Sequence, residues 1–387
     1  MTTLYVVNFI SALTASALSF VASALALKYG GVEIAQLNVV AIYFAMAFGG
    51  ILTPLLSKWY KASNSLLGLE IFRCLILTIF PFLFQKYPIT IPIFTFLISS
   101  ISASFHSIKL SGIISGSSHN DDSLRKAIHS TSGMEGIVAI FSGIFAIISL
   151  EIINYKILAV IDALTYLALT IMLFPKVRDS SLGDNFKIFH GFSVIFRSKN
   201  LSFLTMSRIL QNIPSSSISF LMPMFIPLML GDVNKYAAGL VSFTSFQAIS
   251  FGFFSRYISK NYRQNFVINF SSLATILNLI IVVTLLIIEV ELGITSLIIV
   301  GILSGLSMAG FRMNGILIGT KITPKESMHV VISSGDTIVR ISTAAYLSIF
   351  TFAMSLQHTS VLIFILLASL VCIFKVQMFL KNISNNH

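Results

Sequence analysis

Charged side chains are scarce in this sequence. Only 10% of its 387 residues are Asp, Glu, Lys or Arg, against about 25% in an ordinary soluble domain. Hydrophobic residues make up 56%, and the mean hydropathy is +0.91. A soluble fold of this length has too little interior to hide so many apolar side chains, since its surface must be wetted. The composition excludes a soluble protein and predicts that lipid surrounds most of the chain.

Cysteine is nearly absent, and so are the motifs of metal and nucleotide sites. Cys74 and Cys372 lie far apart in apolar segments, with neither a metal-binding nor a redox spacing. No glycine-rich phosphate loop is present, so ATP is not expected to supply the energy. No His-Glu-x-x-His helix or cysteine cluster indicates a metal enzyme. We expect no cofactor, no metal and no enzymatic activity.

Acidic residues are fewer than basic ones, which gives a net charge of +11. In a soluble protein such an excess would suggest nucleic acid as a partner. Here the basic residues lie in short connectors between apolar stretches, where they set membrane topology. We therefore expect a lipid bilayer around the chain and no nucleic acid.

Apolar stretches long enough to cross a bilayer recur along the whole chain, since a spanning helix needs about 20 such residues. The first one follows Met1 almost directly, without the basic region of a signal peptide, and is expected to be retained. The sequence predicts an all-α polytopic membrane protein with twelve transmembrane helices. They are expected at 4–27, 34–56, 65–84, 89–110, 127–149, 157–174, 201–229, 237–256, 266–288, 293–317, 328–355 and 360–380.

Lysine and arginine are unevenly distributed over the connectors. With the N-terminus inside, seventeen lie in inner connectors and ends, four in outer connectors and four within helices. The positive-inside rule then predicts that both termini are cytoplasmic. The richness in Ile, Lys, Asn and Ser hints at a bacterial source, and hence at the bacterial cytoplasmic (inner) membrane.

The longest connector, 175–200, divides six predicted helices from six. Its second part repeats phenylalanine at helical spacing, at Phe186, Phe189, Phe192 and Phe196. This pattern predicts a short amphipathic helix on the inner membrane surface. The expected domains are an N-terminal six-helix bundle over 1–174, a cytoplasmic linker over 175–200 and a C-terminal six-helix bundle over 201–387.

Short matches relate the two halves. The turn 57–61, Ser-Lys-Trp-Tyr-Lys, follows the second predicted span, and 259–263, Ser-Lys-Asn-Tyr-Arg, follows the eighth. The Ser-Gly pairs 132–133 and 334–335 lie in the fifth and eleventh spans, with the same separation. Chance similarity of basic turns is the alternative. Equal spacing at equal topological positions favours parallel halves that enclose a cavity at mid-membrane.

Four segments carry a family resemblance over the whole chain: the turn 57–61, Glu70-Ile71-Phe72-Arg73, Asp162-Ala163-Leu164-Thr165-Tyr166-Leu167, and Leu230-Gly231 followed by Tyr236 and Gly239-Leu240. The sequence resembles the major facilitator superfamily, and within it the branch of macrolide-efflux proteins and the enterobactin exporter. The resemblance implies two six-helix bundles and proton-coupled efflux. Two features depart from the pattern, since Ser57 replaces a gating aspartate and the fifth span lacks a Gly-Pro pair.

Charged residues within the spans cost at least about 2.5–3.5 kcal/mol to insert, so each suggests a function. Glu70 and Arg73, three residues apart, are expected to neutralise each other and to latch the inner gate with the turn 57–61. Asp162 is expected to cap its helix or pair locally. The predicted gating residues are Ser57, Lys58, Lys61, Glu70, Arg73, Ser259, Lys260 and Arg263.

Proton coupling is predicted at Glu135, Asp336 and His106. Glu135 and Asp336 lie at nearly equivalent depths in the two halves. A carboxyl group removed from water binds a proton more readily, so it can load and release one near neutral pH. For Asp336 an ion pair with Arg340, four residues on, is the alternative, and for His106 it is a packed polar residue.

Arginines without matching acids in the C-terminal half predict the class of cargo. Guanidinium groups bind carboxylate and phosphate, so we expect an anionic or zwitterionic small molecule. A gating role is the alternative for Arg312. The predicted substrate-binding residues are Arg340, Arg208, Arg312, Asn8, Gln211 and Asn212.

The leading hypothesis is a monomeric secondary transporter that exports an antibiotic, siderophore or peptide-like natural product in exchange for protons. An importer, or a flippase of an amphiphile such as a lysophospholipid, is the alternative on the same fold. A membrane enzyme or receptor that transports nothing is the third hypothesis.

Overall fold

The computed structural model describes residues 2–59, 62–117, 137–138, 140–177, 190–260, 264–323, 328–354 and 358–385. Within these ranges all regular structure is helical. The twelve α-helices described there are α1 (Thr2–Trp59), α2 (Ala62–Ile79), α3 (Thr90–Ser117), α4 (140–148), α5 (Tyr155–Val177), α6 (His190–Arg197), α7 (Lys199–Leu230), α8 (Tyr236–Lys260), α9 (Gln264–Ile288), α10 (Ile294–Ile322), α11 (Met328–Met354) and α12 (His358–Asn385).

Helix α1 consists of two helices joined at Gly31. Its apolar stretch Phe9–Leu52 has 44 residues, about 66 Å at 1.5 Å per residue, which is twice the thickness of the hydrocarbon layer. Gly31 breaks it with φ 71 and ψ −171, a conformation that favours glycine. The Asn38 side-chain amide then donates to Ser23 Oγ at 3.3 Å, so the two halves run antiparallel.

Seven stretches of the described helices are long and apolar enough to cross a membrane: Phe9–Leu52, Lys199–Leu230, Val233–Ile258, Phe266–Ile288, Ile294–Arg312, Ser334–Met354 and Thr359–Leu380. The first covers two predicted spans. Shorter apolar helices lie at Thr90–Ser104 and Ile140–Ile152. Each of the twelve predicted segments overlaps a described helix, so the predicted helices are confirmed. The twelve-span count itself stays a prediction.

Residues 190–197 of the predicted linker form the helix α6, which carries Phe192 and Phe196 of the phenylalanine pattern. Phe186 and Phe189 lie outside the described residues. The buried Ile195 packs with Leu201 of α7 and Val331 of α11, while Phe196 is exposed. Helix α6 therefore packs against the N-terminal ends of α7 and α11.

Equivalent helices touch in the two halves. The second half of α1 packs on α3, and α8 packs on α10. The first half of α1 contacts α5, and correspondingly α7 contacts α12. Helix α2 also contacts α5, and correspondingly α9 contacts α12. These pairs correspond to one another when the halves are aligned on the repeated segments.

Glycines bring α8 and α10 together. A Cβ on Gly301 would lie 2.6 Å from the carbonyl oxygen of Phe243, and one on Gly305 would lie 2.9 Å from Ser250 Cβ. Ser250 Oγ donates to the Ile302 carbonyl oxygen at 2.8 Å. Small residues and polar contacts of this kind hold membrane helices together where lipid provides no hydrophobic driving force.

Replacing Gly305 with leucine is therefore expected to separate α8 from α10 and to destabilise the protein by at least about 2 kcal/mol. Gly252→Leu on the same α8 is the matched control, because no heavy atom lies within 4 Å of its Cβ position. The midpoint of thermal unfolding in detergent should fall clearly for the first variant only. Equal midpoints would show that the contact adds nothing to stability.

A continuous apolar core joins the two halves. It contains Ala17 and Leu25 of α1, Phe220 and Phe225 of α7, and Phe350 of α11. Beside this core lies the buried Gln36, whose amide donates to the Met224 sulfur at 3.5 Å. The halves are thus in direct contact between α1 and α7.

Candidate functional site

Three arginines surround one carboxylate in the C-terminal half; Asp336, Arg208, Arg312 and Arg340 are together called the arginine cluster. Asp336 of α11 is ion-paired with Arg208 of α7, and the two side chains are 35% and 32% exposed. Arg312 of α10 and Arg340 of α11 also act on Asp336 electrostatically. Guanidinium groups bind carboxylate and phosphate, so a cluster of this composition favours an anion.

Arg340 contacts the opposite half. Its Nη1 donates to the carbonyl oxygen of Met46, in the second half of α1, at 3.2 Å. Four residues further along α1, Gly50 faces the Thr337 hydroxyl so closely that a side chain would not fit. The cluster therefore lies beside the contact between the second half of α1 and α11.

Neutral polar side chains line α7 and α11 next to the arginine cluster. The Asn212 amide donates to Thr343 Oγ1 at 2.9 Å, and the Ser217 and Tyr346 hydroxyls are 3.2 Å apart. Gln211 is buried, at 6% exposure. The predicted residues Arg208, Gln211 and Asn212 thus share α7, and the structure brings Arg208 together with Arg312 and Arg340.

A second charged group lies inside the N-terminal half and is called the buried charge cluster: Glu70, Arg73 and Asp162. Arg73 Nη2 of α2 is 2.6 Å from Asp162 Oδ2 of α5, and both side chains are 0% exposed. Thr14 Oγ1 donates to the other Asp162 oxygen at 2.7 Å, and Arg73 Nη1 donates to Ser102 Oγ at 2.7 Å. Four helix segments meet at this ion pair.

The close ion pair of Arg73 is with Asp162, because the guanidinium reaches α5, and Thr14 of α1 donates to the same carboxylate. Glu70 acts on Arg73 electrostatically but without a close contact. Asp162 accordingly neither caps its helix nor pairs locally. The alternative partner for Asp336 is corrected as well, since Arg208 forms that ion pair while Arg340 turns towards α1.

Several predicted residues have no described side-chain environment. Glu135, Lys61 and Arg263 lie outside the described residues. His106 belongs to α3, Asn8, Ser57 and Lys58 to α1, and Ser259 and Lys260 to α8, but their side chains also lie outside the described part. Their predicted coupling, binding and gating roles stay predictions.

Sequence reasoning missed the partners of these charges. Tyr166 lies under the Arg73 guanidinium, 3.6 Å from ring centroid to Cζ, and Thr14 and Ser102 complete the site. Asp162 and Tyr166 are four residues apart in the segment 162–167, so the sequence could have placed them on the same face of one helix. The sequence did not point to Thr14, Ser102 or the Met46 carbonyl group. Hydroxyl side chains and backbone carbonyl groups occur throughout the helices, so none of them stands out. Among the described side chains, no group of three His, Cys, Asp or Glu could hold a metal ion.

No protein-family model and no curated protein sequence matches this chain. Solved structures do match it over nearly the whole length. The nucleoside transporter NupG, as a mutant, has a TM-score of 0.66 at 14% identity, covering 97% of this chain and 99% of NupG. A POT family transporter in complex with 5-aminolevulinic acid has a TM-score of 0.71 at 12% identity, covering 99% and 96%.

FucP, a major facilitator superfamily transporter in the outward conformation, has a TM-score of 0.57 at 12% identity, covering 96% of this chain and 98% of FucP. At such identities the likeness shows the fold alone. The chain shares the all-helical fold of these solved structures. These three proteins are transporters.

Proposed function

We propose that this protein is a secondary transporter that exports a small anionic or zwitterionic molecule across the bacterial inner membrane in exchange for protons. Two six-helix bundles, 1–174 and 201–387, rock about a shared mid-membrane cavity and are joined by the linker 175–200. The chain is expected to act as a monomer with both termini in the cytoplasm. Antibiotics, siderophores and peptide-like natural products are the cargo classes considered first.

The observation that carries the proposal is the arginine cluster, in which three guanidinium groups act on Asp336. Charge inside a membrane protein is costly and suggests a function. Arg208 and Asp336 are about one-third exposed, so a small ion can reach them. A carboxylate or phosphate on the cargo would compete with Asp336 for Arg208.

The contact of Arg340 with Met46 supports alternating access. Because this hydrogen bond joins the halves, an anion that draws the guanidinium away would loosen the contact between them. A POT family transporter of the same fold is known in complex with 5-aminolevulinic acid, which has one carboxylate and one amine. The resemblance to efflux proteins at 70–73 and 162–167 supports outward transport.

Susceptibility of cells with and without the gene to a panel of antibiotics and siderophores tests the cargo class. The panel should include a lysophospholipid and neutral, cationic and anionic members. The anionic or zwitterionic members are then followed in inside-out vesicles with an imposed pH gradient. We expect cargo to enter these vesicles, which corresponds to export, and a dye to report proton movement in the opposite direction.

Arg340→Ala is expected to lower this accumulation by about tenfold or more, since a hydrogen bond to a charged group contributes about 1.5–3 kcal/mol. Lys375→Ala, at an exposed position of α12, also removes one positive charge; it is the control and should transport normally. Cargo leaving the inside-out vesicles would identify an importer. A purely cationic cargo, or equal losses in both variants, would contradict the proposal.

A further inference from the structure

Glu70 is the one member of the buried charge cluster without an ion pair to a described side chain. It is 1% exposed, and the contact that the structure gives its carboxyl group is the Cys74 thiol, with the sulfur 3.7 Å from Oε1. A thiol is a weak hydrogen-bond donor. An ionised carboxylate held only in this way would be poorly stabilised.

The neighbouring ion pair cannot supply the missing charge. The cluster contains two carboxyl groups for one guanidinium, and Arg73 is already committed to Asp162 at 2.6 Å. Asp162 also accepts from Thr14, so its negative charge is stabilised from two sides. When the cluster is neutral, the proton therefore belongs to Glu70 and not to Asp162.

One guanidinium nitrogen of Arg73 forms no hydrogen bond to a described residue. Its Nη atoms bond Asp162 and Ser102, while its buried Nε has no hydrogen-bond partner among the described residues. Buried donors are rarely left unpaired. Nε is the guanidinium nitrogen closest to the backbone of α2, on which Glu70 lies one helical turn earlier.

The titratable groups around Glu70 are few. Its own helix provides Arg73 and Cys74, and α5 provides Asp162 and Tyr166. The first half of α1 contributes Thr14 and α3 contributes Ser102, neither of which titrates. His106 and Lys109 of α3 have side chains outside the described part, and an ion pair between Lys109 and Glu70 is one outcome of the test below.

We infer that Glu70 binds and releases the proton exchanged during transport. Protonated, Glu70 is neutral and rests against Cys74. On losing its proton to water, the carboxylate takes the free Nε–H of Arg73 and weakens the hold of the guanidinium on Asp162. Because this ion pair joins α2 to α5, and its hydroxyl partners belong to α1 and α3, one proton changes the packing of four helix segments.

This inference rests on the proposed function, but proton occupancy of Glu70 is measurable without any cargo. Infrared difference spectra of the full chain in lipid nanodiscs, recorded over a pH titration, show protonated carboxyl groups by their carbonyl stretching band. We expect such a band near neutral pH in the wild type, and its loss in Glu70→Gln. Glu151→Gln, at an exposed position between α4 and α5, is the matched control and should retain the band.

Two further variants test whether the band belongs to Glu70. Cys74→Ser should shift the band without removing it, because the hydroxyl is a stronger donor to the carboxyl group than the thiol. Glu70→Asp keeps a titratable carboxyl group, so it should shift the band and serves as the test should Glu70→Gln not fold. A band that survives in Glu70→Gln, that keeps its position in Glu70→Asp, or that is missing from the wild type, as an ion pair with Lys109 would require, overturns the inference.

Transport measurements distinguish a role of Glu70 in proton coupling from protonation of Glu70 without such a role. Once a cargo is known, Glu70→Gln should still exchange it between the two sides of a vesicle, but accumulation driven by the pH gradient should be lost. Accumulation that survives in this variant overturns the role of Glu70 in coupling. If the wild type carries no cargo at all, the proposed function fails while the infrared band still decides which group holds the proton.

Discussion

Replacing Arg73 with methionine is expected to destabilise the protein by about 3–5 kcal/mol, the usual cost of removing one partner of a buried ion pair. Asp162 is 0% exposed and would keep a negative charge opposed only by the Thr14 hydroxyl. Methionine retains much of the length and volume of the arginine stem, so the loss is chiefly one of charge compensation. Denaturant or thermal unfolding in lipid-containing detergent measures it.

The double variant Arg73→Met, Asp162→Leu is expected to recover most of this loss, because apolar side chains replace both charges. Stability of the single variant should also improve as the pH is lowered, since protonation removes the uncompensated charge of Asp162. Lys375→Met, at an exposed position of α12, should change stability by less than about 0.5 kcal/mol. A single variant as stable as the wild type would contradict the buried pair.

Arg208→Ala and Asp336→Asn are expected to change cargo affinity in opposite directions. Arg208→Ala removes a guanidinium that binds the anionic group and should weaken binding by about 10–100-fold, or about 1.4–2.7 kcal/mol. Asp336→Asn removes the carboxylate that competes with the cargo for Arg208 and should tighten binding. Tighter binding slows release, so turnover of this variant should fall.

The opposite signs distinguish a binding site from a structural ion pair. Both side chains of the Arg208–Asp336 pair are about one-third exposed, so solvent screening limits its contribution to stability to less than about 1 kcal/mol. Equilibrium binding of the labelled cargo to each purified variant is the measurement. Equal losses of affinity in the two variants, with a matching loss of stability, would show that the pair is structural.

The helices of this protein could be predicted from sequence because a segment that crosses the lipid must be both apolar and helical. Every backbone N–H and C=O in the hydrocarbon layer must be satisfied within the helix, and about 20 apolar residues are needed for each crossing. The predicted segment 201–229, for example, becomes α7, Lys199–Leu230, despite Pro214, Pro223 and Pro227 within it. The break between the first two segments was likewise placed correctly, around Gly31.

The partners of the charged side chains could not be predicted in this way. Glu70 and Arg73 look like a pair because they are one helical turn apart, yet Arg73 bonds an aspartate 89 positions away. Asp336 and Arg340 look like a pair for the same reason, yet Arg208 lies 128 positions from Asp336. Long side chains reach neighbouring helices as easily as the next turn of their own, so spacing along one helix does not decide between the two.

The amino-acid sequence alone determined the membrane environment, the positions of the helices and the presence of costly charges inside them, because hydropathy and helical geometry act locally. Only the tertiary structure decided which charges meet. It joined the motifs at Glu70–Arg73 and Asp162 into one buried cluster and gathered Arg208, Arg312 and Arg340 around Asp336. These contacts depend on how helices distant in sequence pack and rotate against one another. The sequence of one helix does not specify which helices pack against it.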